Sequence, residues 1–173
     1  MALHEHNERQ AMGRVLSMLR AGQNVALVSD AGTPGISDPG FPLIRACADE
    51  NLPVTMVPGP AAFVMALVLS ALPSHSFTYR GFPPRTQIKR QKFLAVDLEA
   101  EHTLIFYEAP SRIKELIEDA IAIYGDRRAA IGNDLTKLFE TIVRGKLSEL
   151  LMHALVLEPK GEYVLVIEGN LSA

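Results

Sequence analysis

The sequence predicts an α/β fold. Short β-branched runs alternate with helical stretches, Gly and Pro punctuate the changes between them, and several predicted strands run straight into loops built of small residues. The spacing of strands and helices further predicts a largely parallel sheet. With 173 residues, 48% of them apolar and 21% charged, the chain can form one ordinary domain or two small ones.

The elements follow in order. Asn7, with Gln10 three residues on, reads as the cap of a helix whose apolar face is Met12, Val15, Leu16 and Leu19 and which Gly22 stops. Val25–Ser29 (VALVS) reads as a strand buried on both faces. Asp38 and Pro39 read as cap and first residue of a helix reaching about Glu50. A second strand, Val54–Val57, turns through Pro58-Gly59-Pro60 into an apolar helix from Ala61 to about Leu72. Leu72–His75 reads as a boundary. Beyond it Phe77, Tyr79 and Gly81 alternate as a strand, and Arg85–Val96 reads as a basic helix with Arg85, Lys89 and Lys92 on one side. Thr103–Glu108 is a strand, Ser111 caps a helix to Tyr124, and Ala129–Gly132 and Glu140–Arg144 are strands. A helix over Leu147–Leu157 and a strand over Glu162–Gly169 close the chain.

Composition excludes several classes of function. The longest apolar run, Ala61–Leu72, is too short to span a bilayer, and no charged n-region precedes an apolar stretch at the start, so a cytoplasmic protein is expected, without membrane attachment. One cysteine, Cys47, rules out a disulfide framework or a cysteine-based zinc site. His4–Glu8 (HEHNE) lacks the HExxH spacing that puts two histidines on one helical face, so no metal is expected. The net charge of −3 argues against indiscriminate nucleic-acid binding. Yet Asn51–Val96 contains no Asp or Glu, while Arg80, Arg85, Lys89, Arg90 and Lys92 crowd within it. A local field of that kind can steer a polyanion, although a solvated helix face would look the same.

The chemistry is expected where four strands end. VALVS runs into DAGTPGISDPG (Asp30–Gly40), VTMV into PGPAA, TLIFY into EAPSR, and AAIG into NDLTK. Ligands of open α/β sheets bind outside the carboxyl ends of strands, where Gly and Pro allow close approach to the backbone. No Walker A or GxGxxG sequence is present. The first loop carries no cation, which suits a ligand bearing hydroxyls and an amine or sulfonium better than a phosphate. No histidine is placed to activate Ser29 or Ser37.

Taken together and in this order, LVSDAGTPGISDPG, VPGPAA, GFPPR, FYEAPSR, DLTKLFETIVRG and GEYVLVIEG resemble the ribosomal RNA small-subunit methyltransferase I family, of the tetrapyrrole-methylase-like class. The likeness runs from His4 to Gly169. It implies a bilobed tetrapyrrole-methylase-like fold of two α/β lobes, residues 1–73 and 76–173. It also implies S-adenosylmethionine (AdoMet) as methyl donor and a cytidine ribose 2′-hydroxyl of ribosomal RNA as acceptor. Carried onto this chain, the cofactor residues are Asp30, Ala31, Gly32, Thr33, Pro34, Gly35, Ile36 and Ser37; Pro58, Gly59, Pro60 and Ala61; Tyr107 and Glu108; Asn133, Asp134 and Leu135; and Gly161 and Glu162. Arg80, Arg85, Lys89, Arg90, Lys92 and Arg112 become the expected RNA-facing cations.

The family's pattern has a strand, loop and helix before HEHNE and a small C-terminal extension, so this chain is expected to hold an incomplete first lobe with unpaired strand edges, which invites dimerisation, here expected as a homodimer, or partial disorder. Asn133-Asp134 stands where the family has Arg-Glu. Glu108 and Lys137 are the catalytic candidates, lysine as a base only if burial or neighbouring cations depress its pKa. A methyltransferase for a tetrapyrrole or other small molecule, and a non-catalytic remnant, are the rival expectations. The basic stretch speaks against a small substrate.

Overall fold

The computed structural model describes residues 1–4, 7–156 and 160–170, which divide into two compact units, Met1–Ala61 and Ala62–Ala173.

The first unit holds two helices, α1 (Glu8–Arg20) and α2 (Phe41–Asp49). Val15 and Leu16 of α1 bury against Leu43 and Cys47 of α2, with Met12 and Leu19 at the margin, as the helical spacing predicts. The end of α1 is a Schellman turn. Gly22 at φ 78° donates to the Leu19 carbonyl, and Gln23 donates to that of Met18. Two helix starts differ from expectation. Asn7 occupies the cap position of α1, but its side chain is spent on the preceding chain, accepting from His4 N–H and donating to the Ala2 carbonyl. The Pro39 carbonyl is tied to Gly35 N–H at 3.2 Å, so α2 begins after Gly40 rather than at Pro39.

Val25–Ser29 and Val54–Val57 are not strands. Among the described residues the first unit has no ladder at all. Both segments have the β-branched composition of strands but no neighbour to exchange backbone hydrogen bonds with, and Val28 and Val57 are 84% and 86% exposed. Local propensity cannot replace a partner.

The second unit is built on a five-stranded sheet in the order β1-β2-β5-β3-β4: β1 Phe77–Tyr79, β2 Thr103–Glu108, β3 Arg128–Asn133, β4 Thr141–Lys146 and β5 Tyr163–Ile167. The α/β class holds, but the expected largely parallel sheet does not. Only β1 and β2 run parallel, and the other three pairs are antiparallel. The reason is connectivity. A short loop after β3 returns the chain directly through β4, and β5 inserts between β2 and β3 with its direction reversed.

The alternation of β2 and β5 builds two cores. Leu104, Phe106, Leu165 and Ile167 face α4 (Gln87–Ala95), α5 (Ile113–Tyr124) and α6 (Leu147–Val156), meeting Leu94, Leu116, Ile117 and Leu150. Ile105, Val164 and Val166 face the other way, onto Ala66 and Leu67 of α3 (Ala62–Ser70). Each such side chain stabilises the fold by roughly 1.5–3 kcal/mol relative to exposure. The expected first lobe included this helix, but α3 packs on the second unit's sheet and belongs to it. Its sequence is apolar all round, so periodicity could not reveal which surface it covers. A short 3-10 turn, Pro110–Arg112, precedes α5, so Ser111 lies inside that turn and Arg112 takes the cap position. The expected end of the last helix at Leu157 lies outside the described residues, as do Glu5 and His6 of HEHNE.

Candidate functional site

Within the first unit, the loop from Asp30 to Ser37 is folded on itself and fastened to the PGP turn. Ser29 Oγ donates to the Gly32 carbonyl at 3.3 Å, Ile36 N–H to the Thr33 carbonyl at 3.2 Å, and Thr33 Oγ1 to the Pro60 carbonyl at 3.0 Å. A Cβ at Gly59 would meet Thr33 Oγ1 at 3.4 Å, so the turn lies close against the loop. Gly32 and Gly35 adopt φ of 73° and 82°, and Ser37 takes φ 56° without being glycine. Gly40 N–H, at the start of α2, is taken by Glu8 Oε1 at 2.8 Å. The two segments expected to bind a cofactor here, Asp30–Ser37 and Pro58–Ala61, are thus neighbours. Their surface is rich in carbonyls and hydroxyls and has no cation of its own.

In the second unit the register gathers the remaining motifs at one edge of the sheet. Tyr163 at the start of β5 lies between Glu108, the last residue of β2, and Asn133, the last of β3. Alongside β2, the Gly81 carbonyl accepts from Tyr107 N–H at 2.9 Å, which places the GFPPR segment at the same edge. Tyr107 itself accepts a hydrogen bond at its hydroxyl from Phe63 N–H at 3.0 Å.

Asn133–Leu135 and Gly161–Glu162 form a closed knot. Asn133 Nδ2 donates to the carbonyls of Lys160 and Glu162. Asp134 N–H donates to the Glu162 carbonyl, and Glu162 N–H returns a bond to Asp134 Oδ1. Gly161 sits at φ 82°, with the Asp134 carboxylate where a Cβ would be. Leu135 is buried against Gly132.

The two catalytic candidates differ. Glu108 is buried, its side chain wholly so. Oε1 accepts from Ala109 N–H at 2.8 Å and pairs with Arg112 Nη2 at 2.5 Å, while Oε2 and Arg112 Nη1 have no partner. Burial pushes its carboxyl above the ordinary value, against the pull of the Ala109 N–H and the Arg112 charge. Lys137 lies 3.1 Å from Glu162 Oε2 and 3.4 Å from Asp134 Oδ1. Its hydrogen bond to Glu162 is the main cause of a pKa raised above the ordinary lysine value. The depressed pKa that a base role required is therefore not met. Lys137 is a cation.

The expected RNA-facing cations separate in the same way. Arg85, Lys89 and Lys92 are exposed. Arg90 is not, with a side chain 2% exposed that pairs with Asp119 at 2.6 Å and Glu115 at 3.2 Å between α4 and α5. It belongs to the core because it anchors one helix on the other. Arg80 pairs with Asp97 at 2.6 Å and lies over the Phe93 ring, and Arg112 is held by Glu108. One residue of this edge escaped the motif reading. Phe82 stands exposed between Gly81 and Pro83, and its signal was an aromatic on a rigid turn inside an acid-free stretch. Among the described residues no cluster of three metal-ligating side chains occurs, and no helix is long and apolar enough to cross a membrane.

The mixed sheet with helices on both faces, and loops gathered at strand ends, matches a class already known. The family model for Tetrapyrrole (Corrin/Porphyrin) Methylases covers residues 2–151. Uroporphyrin-III C-methyl transferase from Thermus thermophilus, solved in complex with S-adenyl homocysteine, superposes with a TM-score of 0.61 over 94% of this chain and 73% of that one, at 16% identity, a likeness of fold. Within that class the chain is 45% identical over 98% of its length to the Ribosomal RNA small subunit methyltransferase I of Xylella fastidiosa, and 36% identical over the same share to that of Thermotoga maritima. The chain belongs to the ribosomal RNA small subunit methyltransferase I family. It spans 63% of the Xylella protein and 76% of the Thermotoga one.

Proposed function

We propose that this chain carries the core of an AdoMet-dependent methyltransferase that modifies a cytidine ribose 2′-hydroxyl of small-subunit ribosomal RNA in the cytoplasm, acting as a homodimer. Identity of 45% along nearly the whole chain to a named ribosomal RNA methyltransferase is the observation that carries this reading. The site chemistry agrees with it. A loop with carbonyls and hydroxyls but no cation suits a cationic ligand; Gly32 and Gly35 supply its positive-φ turns, and Gly59 lets the PGP turn lie against Thr33. The residues proposed for the cofactor are, taken unit by unit, Asp30–Ser37 and Pro58–Ala61 in the first and Tyr107, Asn133–Leu135, Gly161 and Glu162 in the second. Exposed apolar side chains at Val28, Met56 and Val57 favour association of copies.

When bound, AdoMet supplies a methyl group on a sulfonium, a leaving group that needs no acid. The chain's task is then alignment and proton management. Exposed Arg85, Lys89 and Lys92 hold backbone phosphates. Glu108 is best placed as a positioning residue: it fixes Arg112 at the strand end, with its own Oε2 buried and unpartnered. Lys137, firmly protonated, orients anionic or carbonyl groups and keeps Asp134 and Glu162 together.

Calorimetric titration of the chain with AdoMet tests the cofactor half of this reading. Saturable binding that weakens when Thr33→Val removes the bond to Pro60 is the expected result. No binding by a folded chain would overturn it.

A further inference from the structure

Phe82 is the most exposed aromatic side chain at the sheet edge where Tyr107, Glu108 and Asn133 end their strands, if the loop after β3 is set aside, and its setting is unusual for an exposed ring. It is 53% exposed, yet its position is fixed from several sides. Behind it the Tyr107 ring meets it edge-on at 5.5 Å. Tyr107 in turn meets Tyr79 at 5.0 Å, and Tyr79 stacks on Phe63 at 4.4 Å, so a chain of rings braces Phe82 against the core. The backbone is equally constrained. Gly81 takes φ 66°, and its carbonyl is pinned to Tyr107 N–H. Pro83, itself buried, and Pro84 fix φ just after the bend at Phe82 and disfavour the helical region for Phe82.

A side chain already fixed in place loses little entropy when a ligand covers it. The charges around it say which ligand. Arg85 is only three residues on, within about 10 Å of extended chain, and Lys89 follows on α4, both exposed. From Asn51 to Val96 the sequence has no carboxylate, and Glu108 at the same edge is paired with Arg112. A π surface flanked by unpaired cations matches a polymer with a planar base and a phosphate in every unit. Phe139, the other exposed aromatic of this edge, sits instead beside Glu140 in a loop whose cation, Lys137, is already paired with Asp134 and Glu162.

Resting on the ribosomal RNA reading above, we infer that Phe82 is a stacking platform for one unstacked nucleobase of the RNA substrate, with Arg85 and Lys89 taking the adjoining phosphates. Stacking there fixes the ribose of the neighbouring nucleotide against the strand-end residues. It selects single-stranded or extruded nucleotides over paired ones, because a base inside a duplex has no free face. The contribution is sequence-tolerant, since every base offers a π face.

The chain contains no tryptophan, so Phe82→Trp introduces a single fluorescent reporter at the platform itself. The variant is titrated with a single-stranded RNA oligomer of about ten nucleotides and with an abasic ribose-phosphate oligomer of equal length. Binding is followed separately by anisotropy of labelled RNA. The expected result is saturable quenching by RNA and none by the abasic oligomer. Phe82→Ala should weaken RNA binding at least about fivefold at fixed salt, leave the slope of log K against log salt unchanged, and be rescued by Phe82→Tyr. Salt-sensitive RNA binding with no quenching and no loss in Phe82→Ala would overturn the platform and leave the RNA reading standing. Absence of RNA binding by the folded wild-type chain would overturn both.

Discussion

Glu108 and Arg112 form an ion pair one helical turn apart at the carboxyl end of β2, with the carboxylate sealed from solvent and each partner keeping one buried polar atom unpaired. The pair couples the last residue of a core strand to the turn that opens α5. Burial raises the Glu108 pKa above its ordinary value of 4.5. The folded protein therefore holds this proton more tightly than the unfolded chain does. The group's contribution to stability is present below the ordinary value and is lost as pH rises through the raised one.

Glu108→Gln removes that dependence. Urea unfolding midpoints of wild type and variant, measured from pH 4.5 upward, should show the variant gaining relative to wild type as pH rises through the window. Parallel curves would contradict the burial account.

Arg90 and its neighbours on α4 should part company in mutagenesis. Arg90→Ala leaves Asp119 buried without its cation and should cost about 3–5 kcal/mol in chemical unfolding. Lys89→Ala and Lys92→Ala should leave stability nearly unchanged. Each should instead lower the magnitude of the salt slope of RNA binding by about 0.7.

Gly161→Ala should be poorly tolerated. The added Cβ would lie 2.3 Å from both Asp134 carboxylate oxygens, at a φ of 82° that alanine disfavours. A loss of about 1 kcal/mol or more in unfolding free energy is expected, together with weaker AdoMet binding by calorimetry. Unchanged values of both would show that the knot of Asp134 and Glu162 is not needed.

Hydrogen exchange separates the two kinds of β-rich sequence. Amides of Ile105 and Val166, inside ladders, should exchange only on large-scale opening, whereas those of Val25–Ser29 and Val54–Val57 should exchange far faster. Equal protection would mean that the first-unit segments are paired after all.

This contrast also explains what was legible in the sequence. Thr103–Glu108 was readable to the residue because an uninterrupted apolar run bounded by turn signals is a local property. Val25–Ser29 carries the same local signal and forms no strand, because a ladder depends on a neighbour that no local pattern specifies. Strand direction was hidden for a similar reason. The reversal of β5 is decided by which gap it fills between β2 and β3. At the site, the loop motifs were visible as Gly and Pro at strand ends. Which cations face water was not, since Arg90 and Lys89 are adjacent in sequence and opposite in role. Phe82 had a local signal in its turn, but its place at the strand ends follows only from the register that sets Gly81 beside Tyr107.

The most direct test of the central claim is transfer of label from methyl-tritiated AdoMet to unmodified small ribosomal subunits by this chain. The account predicts label in ribosomal RNA, recovered after alkaline hydrolysis in a dinucleotide that resists cleavage because its cytidine ribose is 2′-O-methylated. Label on a base, or a folded and AdoMet-binding chain that transfers none, would contradict it.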